Sequence, residues 1–294
     1  MSQGALLLAH GTPDCLDEMP EYLTRVRGGR APSEELLAEM RGNYGAIGGR
    51  SPLTDLTTAQ AAALEAELGF RVLVGMRNWK PFIADALAQA RREGIRQLAV
   101  VPMAPQYSSL SVGKYREAVN AALPADVDVA FVETWCDHPD LVAAFAERLE
   151  AALKRHAPDH VIFTAHSLPT RVIEAGDPYA EQVVRTARAV AARAGLARYE
   201  QAWQSAGRTP EPWLGPSLEE YLGTASSVGA RRVLVVPIGF VCDHTEILFD
   251  IDIQARAAAE AAGLELFRAE SLNLSPTFIR ALASVVRKSL ATAA

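Results

Sequence analysis

The chain has few cysteines, no long apolar run and no excess of positive charge. Only three cysteines occur among 294 residues, and no two of them form a Cys-x-x-Cys pair: Cys15, Cys136 and Cys242. We therefore expect neither a disulfide framework nor a zinc or iron–sulfur site, and a reducing cytoplasm is the natural compartment. No apolar stretch approaches the roughly 18 residues of a membrane-spanning helix. No basic segment precedes the first apolar strand, so we expect no secretory signal.

The charge balance argues against one broad class of partner. Lys and Arg number 29 against 35 Asp and Glu, which gives a net charge of −6 and a pI near 5.6. A nucleic-acid-binding protein would carry a basic surface, so we do not expect that function. The hydrophobic fraction of 49% and the chain length suffice for two domains of ordinary size, each with a core.

The sequence repeats two of its apolar segments in the same order. The stretch 6–13 resembles 161–169, and each is an apolar run that ends in Ala-His, a small residue and soon a proline. The stretch 94–102 likewise resembles 229–237. Such repetition is typical of a chain built from two copies of one α/β unit.

Strand and helix patterns alternate along the chain, which predicts an α/β fold of two similar Rossmann-like domains, each a parallel β-sheet flanked by helices. Short apolar runs predict buried strands at 5–9, 71–75, 98–102, 127–132, 161–165 and 233–237. Ala-rich stretches predict helices, among them 56–68, 82–93, 141–156 and 181–194. We expect an N-terminal domain over 1–145, a C-terminal domain over 146–274, and a last helix over 275–294 that packs back on the N-terminal domain.

Two histidines follow the repeated strands at equivalent places. Ligands of open parallel sheets bind beyond the carboxyl ends of the strands, which is where His10 and His166 are expected. The sequence therefore predicts a cleft between the two halves with a histidine on each side. A histidine at a strand end is also common as a purely structural, hydrogen-bonded residue.

A run of acidic residues follows the strand that ends at Pro237. Asp243 and Glu246 have the spacing of a capping box, in which both serve only to start a helix. Glu246 and Asp250 are four residues apart and share one helix face, so they could instead line the cleft. A carboxylate that converges on His166 would give an acid–base or metal-handling pair, because histidine titrates near neutral pH.

Two segments, 25–32 and 42–53, are predicted as long glycine-rich loops, and basic residues cluster around them. These arginines either form a solvated surface or recognise carboxylates. The aromatic residues that offer stacking surfaces for a flat ligand, unless they belong to the core, are Tyr44, Trp79, Tyr107, Trp203 and Trp213.

The motifs taken together resemble the ferrochelatase family over almost the whole chain. The matching segments are Gly-Thr-Pro at 11–13, YGAIGGRSPL at 44–53, APQYS at 104–108, AHSLP at 165–169, Asp-Pro-Tyr at 177–179, Trp-Gln-Ser at 203–205, PWLGP at 212–216 and GFVCDHTE at 239–246. The short length is similar to that of the monomeric bacterial members, whose substrate is coproporphyrin III.

The resemblance implies a role for each matching residue. The family's catalytic histidine and glutamate fall on His166 and Glu246, and its acidic stripe continues to Asp250. Propionate contacts fall on Arg27, Arg30, Ser51 and Ser205, and a basic residue of the other cleft wall falls on Arg77. Further expected substrate contacts are His10, Tyr44, Arg50, Tyr107 and Trp213.

The chain departs from the family's pattern at three positions. His10 stands where many bacterial relatives have a tyrosine that can ligate iron, so His10 is an expected iron ligand together with His166, Glu246 and Asp250. A propionate-binding arginine of some relatives falls on Asn43, with Arg50 nearby as its substitute. The third position of the acidic stripe is Gln254.

The resemblance implies insertion of Fe(II) into a porphyrin, with iron as a substrate and no organic cofactor or iron–sulfur cluster. The enzyme must bend the macrocycle and remove two pyrrole protons, and iron could enter past His10 or along the acidic stripe. We expect a cytoplasmic monomer that hands its product to a coproheme decarboxylase. Alternatives are a protoporphyrin IX ferrochelatase, a chelatase for another metal or tetrapyrrole, a non-catalytic haem carrier, and a periplasmic-type binding protein.

Overall fold

The computed structural model describes residues 2–207 and 209–292, and within them the chain forms two four-stranded parallel sheets. The strand orders are β2-β1-β3-β4 and β6-β5-β7-β8, so the second sheet repeats the topology of the first. The strands are β1 Gln3–Ala9, β2 Val72–Met76, β3 Gln97–Pro102, β4 Asp128–Phe131, β5 His160–His166, β6 Glu200–Gln204, β7 Arg232–Pro237 and β8 Glu265–Arg268. The predicted α/β fold with an internal repeat is confirmed.

Helices connect the strands and cover both sheets. They are α1 Met19–Val26, α2 Glu34–Ala46, α3 Leu53–Leu68, α4 Ile83–Arg92, α5 Val112–Ala122, α6 Pro139–His156, α7 Thr170–Glu174, α8 Tyr179–Arg193, α9 Leu218–Ser227, α10 Thr245–Leu248, α11 Arg256–Ala261 and α12 Pro276–Thr292. A π-helical turn, Asp250–Ala255, lies between α10 and α11. Because helices pack on both faces, the central strands read as continuous apolar runs rather than alternating ones.

The repeat is visible in the register of the central strands. In the first sheet β1 lies between β2 and β3, so that Leu7 is beside Val74 on one side and Val101 on the other. In the second sheet β5 takes the same central place between β6 and β7. The carboxyl ends of β1 and β5 are therefore equivalent positions of the two units.

One hydrophobic cluster runs through both sheets. It includes Leu7 of β1, Phe163 of β5 and Phe278 of α12, and the ring of Phe278 stacks on Trp135 with centroids 6.2 Å apart. Helix α12, at the end of the second half, packs on α3, α6 and β3 of the first. Residues 293–294 of the predicted last segment lie outside the described residues, and the division at 145–146 falls within α6.

The structure differs from the sequence-based expectations in some local details. Strands β6 and β8 were not predicted, because they are short edge strands and β6 begins with the polar pair Glu200-Gln201. The segment 42–46, expected as loop, is the last part of α2, whose N-cap Ser33 accepts a hydrogen bond from the Leu36 amide. Among the described residues, no helix combines the length and the apolar character needed to cross a membrane.

The packing of α12 gives a stability prediction. Phe278 is 0% exposed, so Phe278→Ala leaves a cavity and should lower the free energy of unfolding by about 3–5 kcal/mol. Val228→Ala is the control, because that side chain is 68% exposed and its loss should change stability by less than about 0.5 kcal/mol. Urea titrations of both variants measure the difference, and equal midpoints would contradict the packing described here.

Candidate active site

The two predicted histidines lie at the carboxyl ends of the central strands. His166 is the last residue of β5, and His10 directly follows β1. The chain turns sharply after His10 because Gly11 has φ +88°, and a Cβ there would come within 2.8 Å of the Trp79 backbone nitrogen. Glycine at this position thus lets the loop after β1 pack closely while His10 faces the cleft.

The tautomer of His166 is set by its neighbour in the chain. Its Nδ1 lies within hydrogen-bonding distance of the Ser167 carbonyl oxygen, and a carbonyl can only accept, so Nδ1 carries the proton. In the neutral ring Nε2 is then an unprotonated base, and it lies 3.8 Å from Oε1 of Glu246. This arrangement suits proton acceptance by Nε2 and stabilisation of the resulting imidazolium by the carboxylate.

A second histidine faces the other oxygen of the same carboxylate. His244 donates from Nδ1 to the Cys242 carbonyl oxygen at 3.0 Å, which leaves Nε2 3.7 Å from Oε2 of Glu246. Sequence reasoning missed His244, because its segment was interpreted as a helix start. The signal was present in the sequence, since His244 is only two residues before Glu246.

Asp250 lies where the regular helix changes to the π-helical turn. Turns of this kind are frequent at functional sites. Ser205 donates its hydroxyl to Oδ2 of Asp250, and it does so from the left-handed backbone region at φ +58°. A left-handed conformation is strained for a residue with a side chain, and such strain is concentrated at functional sites. The structure therefore brings the predicted residues Ser205, Asp250, Glu246 and His166 together.

The pKa values of Glu246 and Asp250 are shifted in opposite directions. Desolvation raises the pKa of Glu246, but attraction to the imidazolium forms of His166 and His244, together with a hydrogen bond from His244, overcomes this effect and holds the pKa at about 2. Desolvation and the charge of Glu246 raise the pKa of Asp250 to about 6. A pair of carboxyl groups with separated pKa values is typical of sites where one stays ionised and the other exchanges protons near neutrality.

His10 lies close enough to Glu246, His166 and His244 for their charges to affect its pKa. Desolvation by the surrounding protein lowers the pKa of His10 to about 4, and the charge of Glu246 only partly opposes this. The side-chain amide nitrogen of Asn78 lies 3.0 Å from Nε2 and 3.3 Å from Nδ1 of His10. The lowered pKa keeps the ring of His10 neutral at physiological pH.

The structure excludes the interpretation of Asp243 as a helix cap. Helix α10 has His244 at its N-cap position and no side-chain capping bond. The Asp243 carboxylate instead accepts hydrogen bonds from Ser271 at 2.6 Å, Asn273 at 2.8 Å and Arg268 at 3.2 Å. Glu246 is thus free of a capping role and is available to the cleft, where 39% of its side chain is exposed.

The predicted basic contacts are distributed over the rim of the first half. Arg30 donates to the Arg27 carbonyl oxygen at 3.3 Å, while Nε of Arg27 is buried without a hydrogen-bond partner. Arg77 donates to the Leu110 carbonyl oxygen at 3.3 Å, and Arg50 pairs with Asp55. Their roles towards a substrate stay predictions.

Two predicted contact residues are buried instead of facing the cleft. Tyr44 is 3% exposed, and its hydroxyl shares a hydrogen bond of 2.8 Å with Thr12, so its ring offers no free face for stacking. Ser51 is 6% exposed, and its oxygen accepts from the Leu53 amide. The sequence pattern did not reveal that Tyr44, on α2, packs against Tyr22 and Leu23 of α1 and against Trp79.

Of the four other aromatic residues considered as stacking surfaces, Trp79 and Trp203 are buried, whereas Tyr107 and Trp213 are half-buried. Tyr107 lines a cavity of about 380 Å³ together with Leu110 and Val172. Trp213 donates from Nε1 to Thr209 at 3.0 Å, and its ring packs so tightly on Gly207 that a Cβ there would lie 2.6 Å away. Gln254, at the end of the acidic stripe, donates to Glu219 at 2.9 Å.

No preformed metal cage accompanies these groups. Within 2–207 and 209–292, no three His, Cys, Asp or Glu side chains are grouped so that they could hold a metal ion. Imidazole and carboxylate groups remain suitable transient ligands for ferrous iron. The metal-binding roles of His10, His166, Glu246 and Asp250 stay predictions.

Comparison with known proteins assigns the family. The ferrochelatase family model matches residues 2–290. The chain is 44% identical to a ferrochelatase of Deinococcus radiodurans, over 99% of this chain and 97% of that protein. It is 38% identical to a coproporphyrin III ferrochelatase of Geobacillus kaustophilus, over 97% of this chain and 95% of that protein. The structure of SirB from Bacillus subtilis with Fe3+ has a TM-score of 0.66 at 14% identity, over 99% of this chain and 97% of that one.

The chain belongs to the ferrochelatase family. The family's enzymes are lyases that insert a metal into a porphyrin, so the predicted family, enzyme class and two-unit fold are confirmed. The similarity to SirB, at low identity, concerns the fold alone.

The raised pKa of Asp250 predicts a pH-dependent change in stability. An aspartate whose pKa is about 6 in the folded protein and 3.8 in the unfolded chain favours folding in its protonated form, so its ionisation costs stability as the pH rises between these values. Asp250→Asn removes this cost. We expect the variant to gain on the order of 1–2 kcal/mol over the native chain at pH 8, and little at pH 4.

Urea unfolding of both chains at the two pH values measures this difference. The expected gain is moderate because solvent reaches part of the Asp250 side chain and screens its charge. A stability difference that is the same at pH 4 and pH 8 would show that Asp250 titrates normally.

Proposed function

We propose that the chain inserts Fe(II) into coproporphyrin III and releases coproheme in haem biosynthesis. The observation that carries this proposal is the His166–Glu246 pair, in which Nδ1 of His166 is bound to a carbonyl oxygen and Nε2 lies 3.8 Å from a carboxylate that stays ionised. The coproporphyrin substrate is supported by relatives named coproporphyrin III ferrochelatase, which are 36–38% identical to this chain. Coproporphyrin carries four propionates, and the arginines on the rim of the first half are suited to bind them.

The reaction must remove two pyrrole protons before a metal can occupy the porphyrin centre. Nε2 of His166 accepts a proton, and the resulting imidazolium is stabilised by Glu246 at 3.8 Å. Asp250, whose pKa of about 6 lies close to the working pH, can take up a proton and release it to solvent. The carboxyl groups of Glu246 and Asp250, four residues apart, give protons a route away from the reacting centre.

Porphyrin binding also has to supply the energy that bends the macrocycle, since nitrogen lone pairs of a flat ring point at one another rather than at an incoming ion. Interactions at the rim with Arg27, Arg30 and Arg77 would hold the propionates while the cleft walls distort the ring. Ferrous iron is the second substrate. Because a tight site would compete with the porphyrin, weak and transient ligation by imidazole and carboxylate suits delivery of the ion.

The remaining expectations are part of the same proposal. The reaction requires no organic cofactor and no iron–sulfur cluster. The three cysteines are unpaired in the structure, which agrees with a reducing cytoplasm. We expect a monomer, and a transient handover of coproheme to a decarboxylase that converts its propionates.

The test is anaerobic insertion of ferrous iron into coproporphyrin III and protoporphyrin IX side by side, followed by absorbance. We expect faster insertion into coproporphyrin, and His166→Ala should slow it by at least about 100-fold because the proton acceptor is lost. His160→Ala is a matched control, since His160 lies at the other end of the same strand and should leave the rate unchanged.

Other results of the insertion assay would support other functions. Preference for protoporphyrin IX would contradict the proposed substrate but would leave the proposed reaction, iron insertion, intact. Efficient insertion of another metal, but not iron, would identify a different chelatase. Tight binding of finished haem without turnover would favour a haem carrier, in which His10 and His166 ligate the iron.

A further inference from the structure

Arg268 connects two parts of the chain that flank the site. It is the last residue of β8, and its side chain is only 14% exposed. Its Nε and Nη2 donate to the two oxygens of Asp252, each at 2.8 Å, and its Nη1 donates to Oδ1 of Asp243 at 3.2 Å. One guanidinium thus binds the loop before α10 and the π-helical turn after it.

The two aspartates enclose the segment that carries the reactive groups. His244, Glu246 and Asp250 all lie between Asp243 and Asp252 in the chain. Both ends of this segment are therefore fixed to the edge strand β8 through Arg268. The middle of the segment is short helix and π-helical turn, in which backbone hydrogen bonds alone define the geometry less firmly than in a long helix.

The loop end of the segment has a second anchor. The backbone amide of Asp243 donates to Oδ1 of Asn273 at 2.9 Å, and the backbone amide of Asn273 donates to the Val241 carbonyl oxygen at 3.0 Å. Gln60 of α3, in the first half, donates to the Asn273 carbonyl oxygen at 2.9 Å. The π-helical end is different, because the charged contacts of Asp252 are with Arg268 and, at 3.9 Å, with Arg256 four residues further along the chain.

We propose that Arg268 is a positioning residue, which sets the places of Glu246 and Asp250 relative to His166 by joining Asp243 to Asp252. It acts from outside the cleft. Arg268 lines a separate cavity of about 480 Å³, whose lining includes Asp252 but neither His166 nor Glu246. The kinetic part of this inference rests on the proposed function, whereas the structural part does not.

The geometry requires a guanidinium rather than a simple positive charge. A planar fork can bind both oxygens of one carboxylate and still donate to a second, and a lysine ammonium cannot reproduce this arrangement. Without the guanidinium, two partly buried carboxylates of 22% and 26% exposure would lose the cation that both of them bind, and Asp252 would keep the more distant Arg256 at 3.9 Å. Their repulsion would move the segment ends apart, and shifts of about 1 Å near reacting groups cost on the order of 100-fold in rate.

The test compares Arg268→Gln with the native chain and with Arg155→Gln. Arg155 lines the same cavity, so its replacement removes an equal charge without touching either aspartate. We expect Arg268→Gln to lower kcat for iron insertion by about 10- to 100-fold, while KM for the porphyrin changes less than about threefold. Rates are normalised to the fraction of protein that binds porphyrin, so that partial unfolding does not count as lost catalysis.

Hydrogen exchange provides a readout that needs no turnover. We expect faster exchange of the backbone amides of 243–255 in Arg268→Gln, and native exchange in β5 and in Arg155→Gln. If the native chain inserts no iron, the proposed function fails, but the exchange data still test the connection. Native exchange in 243–255, or a normalised kcat within twofold of native, would overturn the proposal.

Arg268→Lys separates charge from geometry. It keeps the positive charge, so the fold is retained even if Arg268→Gln proves unstable. We expect normal porphyrin binding with a kcat below native and above that of Arg268→Gln. Full native kcat in Arg268→Lys would show that charge alone suffices, which contradicts a positioning role for the guanidinium.

Discussion

The ionised carboxylate of Glu246 is the interaction on which the site depends. Its two oxygens face Nε2 of His166 at 3.8 Å and Nε2 of His244 at 3.7 Å, and each imidazole is held in the matching tautomer by a backbone carbonyl. The same charge raises the pKa of Asp250 and acts on His10 in the other half. The charge of Glu246 therefore acts on the pKa values of three neighbouring groups, His244, Asp250 and His10.

The fold brings these groups together by repeating one unit. Two parallel sheets of identical strand order place the ends of β1 and β5 at equivalent points, and a shared hydrophobic cluster fixes one sheet against the other. The loop after β3 is held to the second half by Gln106, which donates to Thr186 and to the Ile238 carbonyl oxygen. The site is consequently formed on rigid elements, and it includes Ser205, which has a left-handed backbone, and Asp250, which starts the π-helical turn.

Much of this architecture could be predicted from the sequence, because buried parallel strands are apolar runs and the repeat showed which of them correspond. The approach of Glu246 to His166 followed from the common end of parallel strands. The sequence did not reveal the partners of Asp243, because Arg268 is 25 residues further along the chain and the spacing to Glu246 imitates a capping box. It also did not reveal that Tyr44 is buried, since its ring joins a small cluster formed by two separate helices and Trp79.

The most direct test of this account is an NMR titration of the histidine side chains in the native chain and in Glu246→Gln. His244 is desolvated, which lowers its pKa, yet its contacts with Glu246 raise the pKa above 6.5. The account predicts a His244 midpoint above 6.5 in the native chain and a lower midpoint in Glu246→Gln, where only desolvation and weaker contacts remain. An identical midpoint in both chains would show that the charge of Glu246 does not control the site.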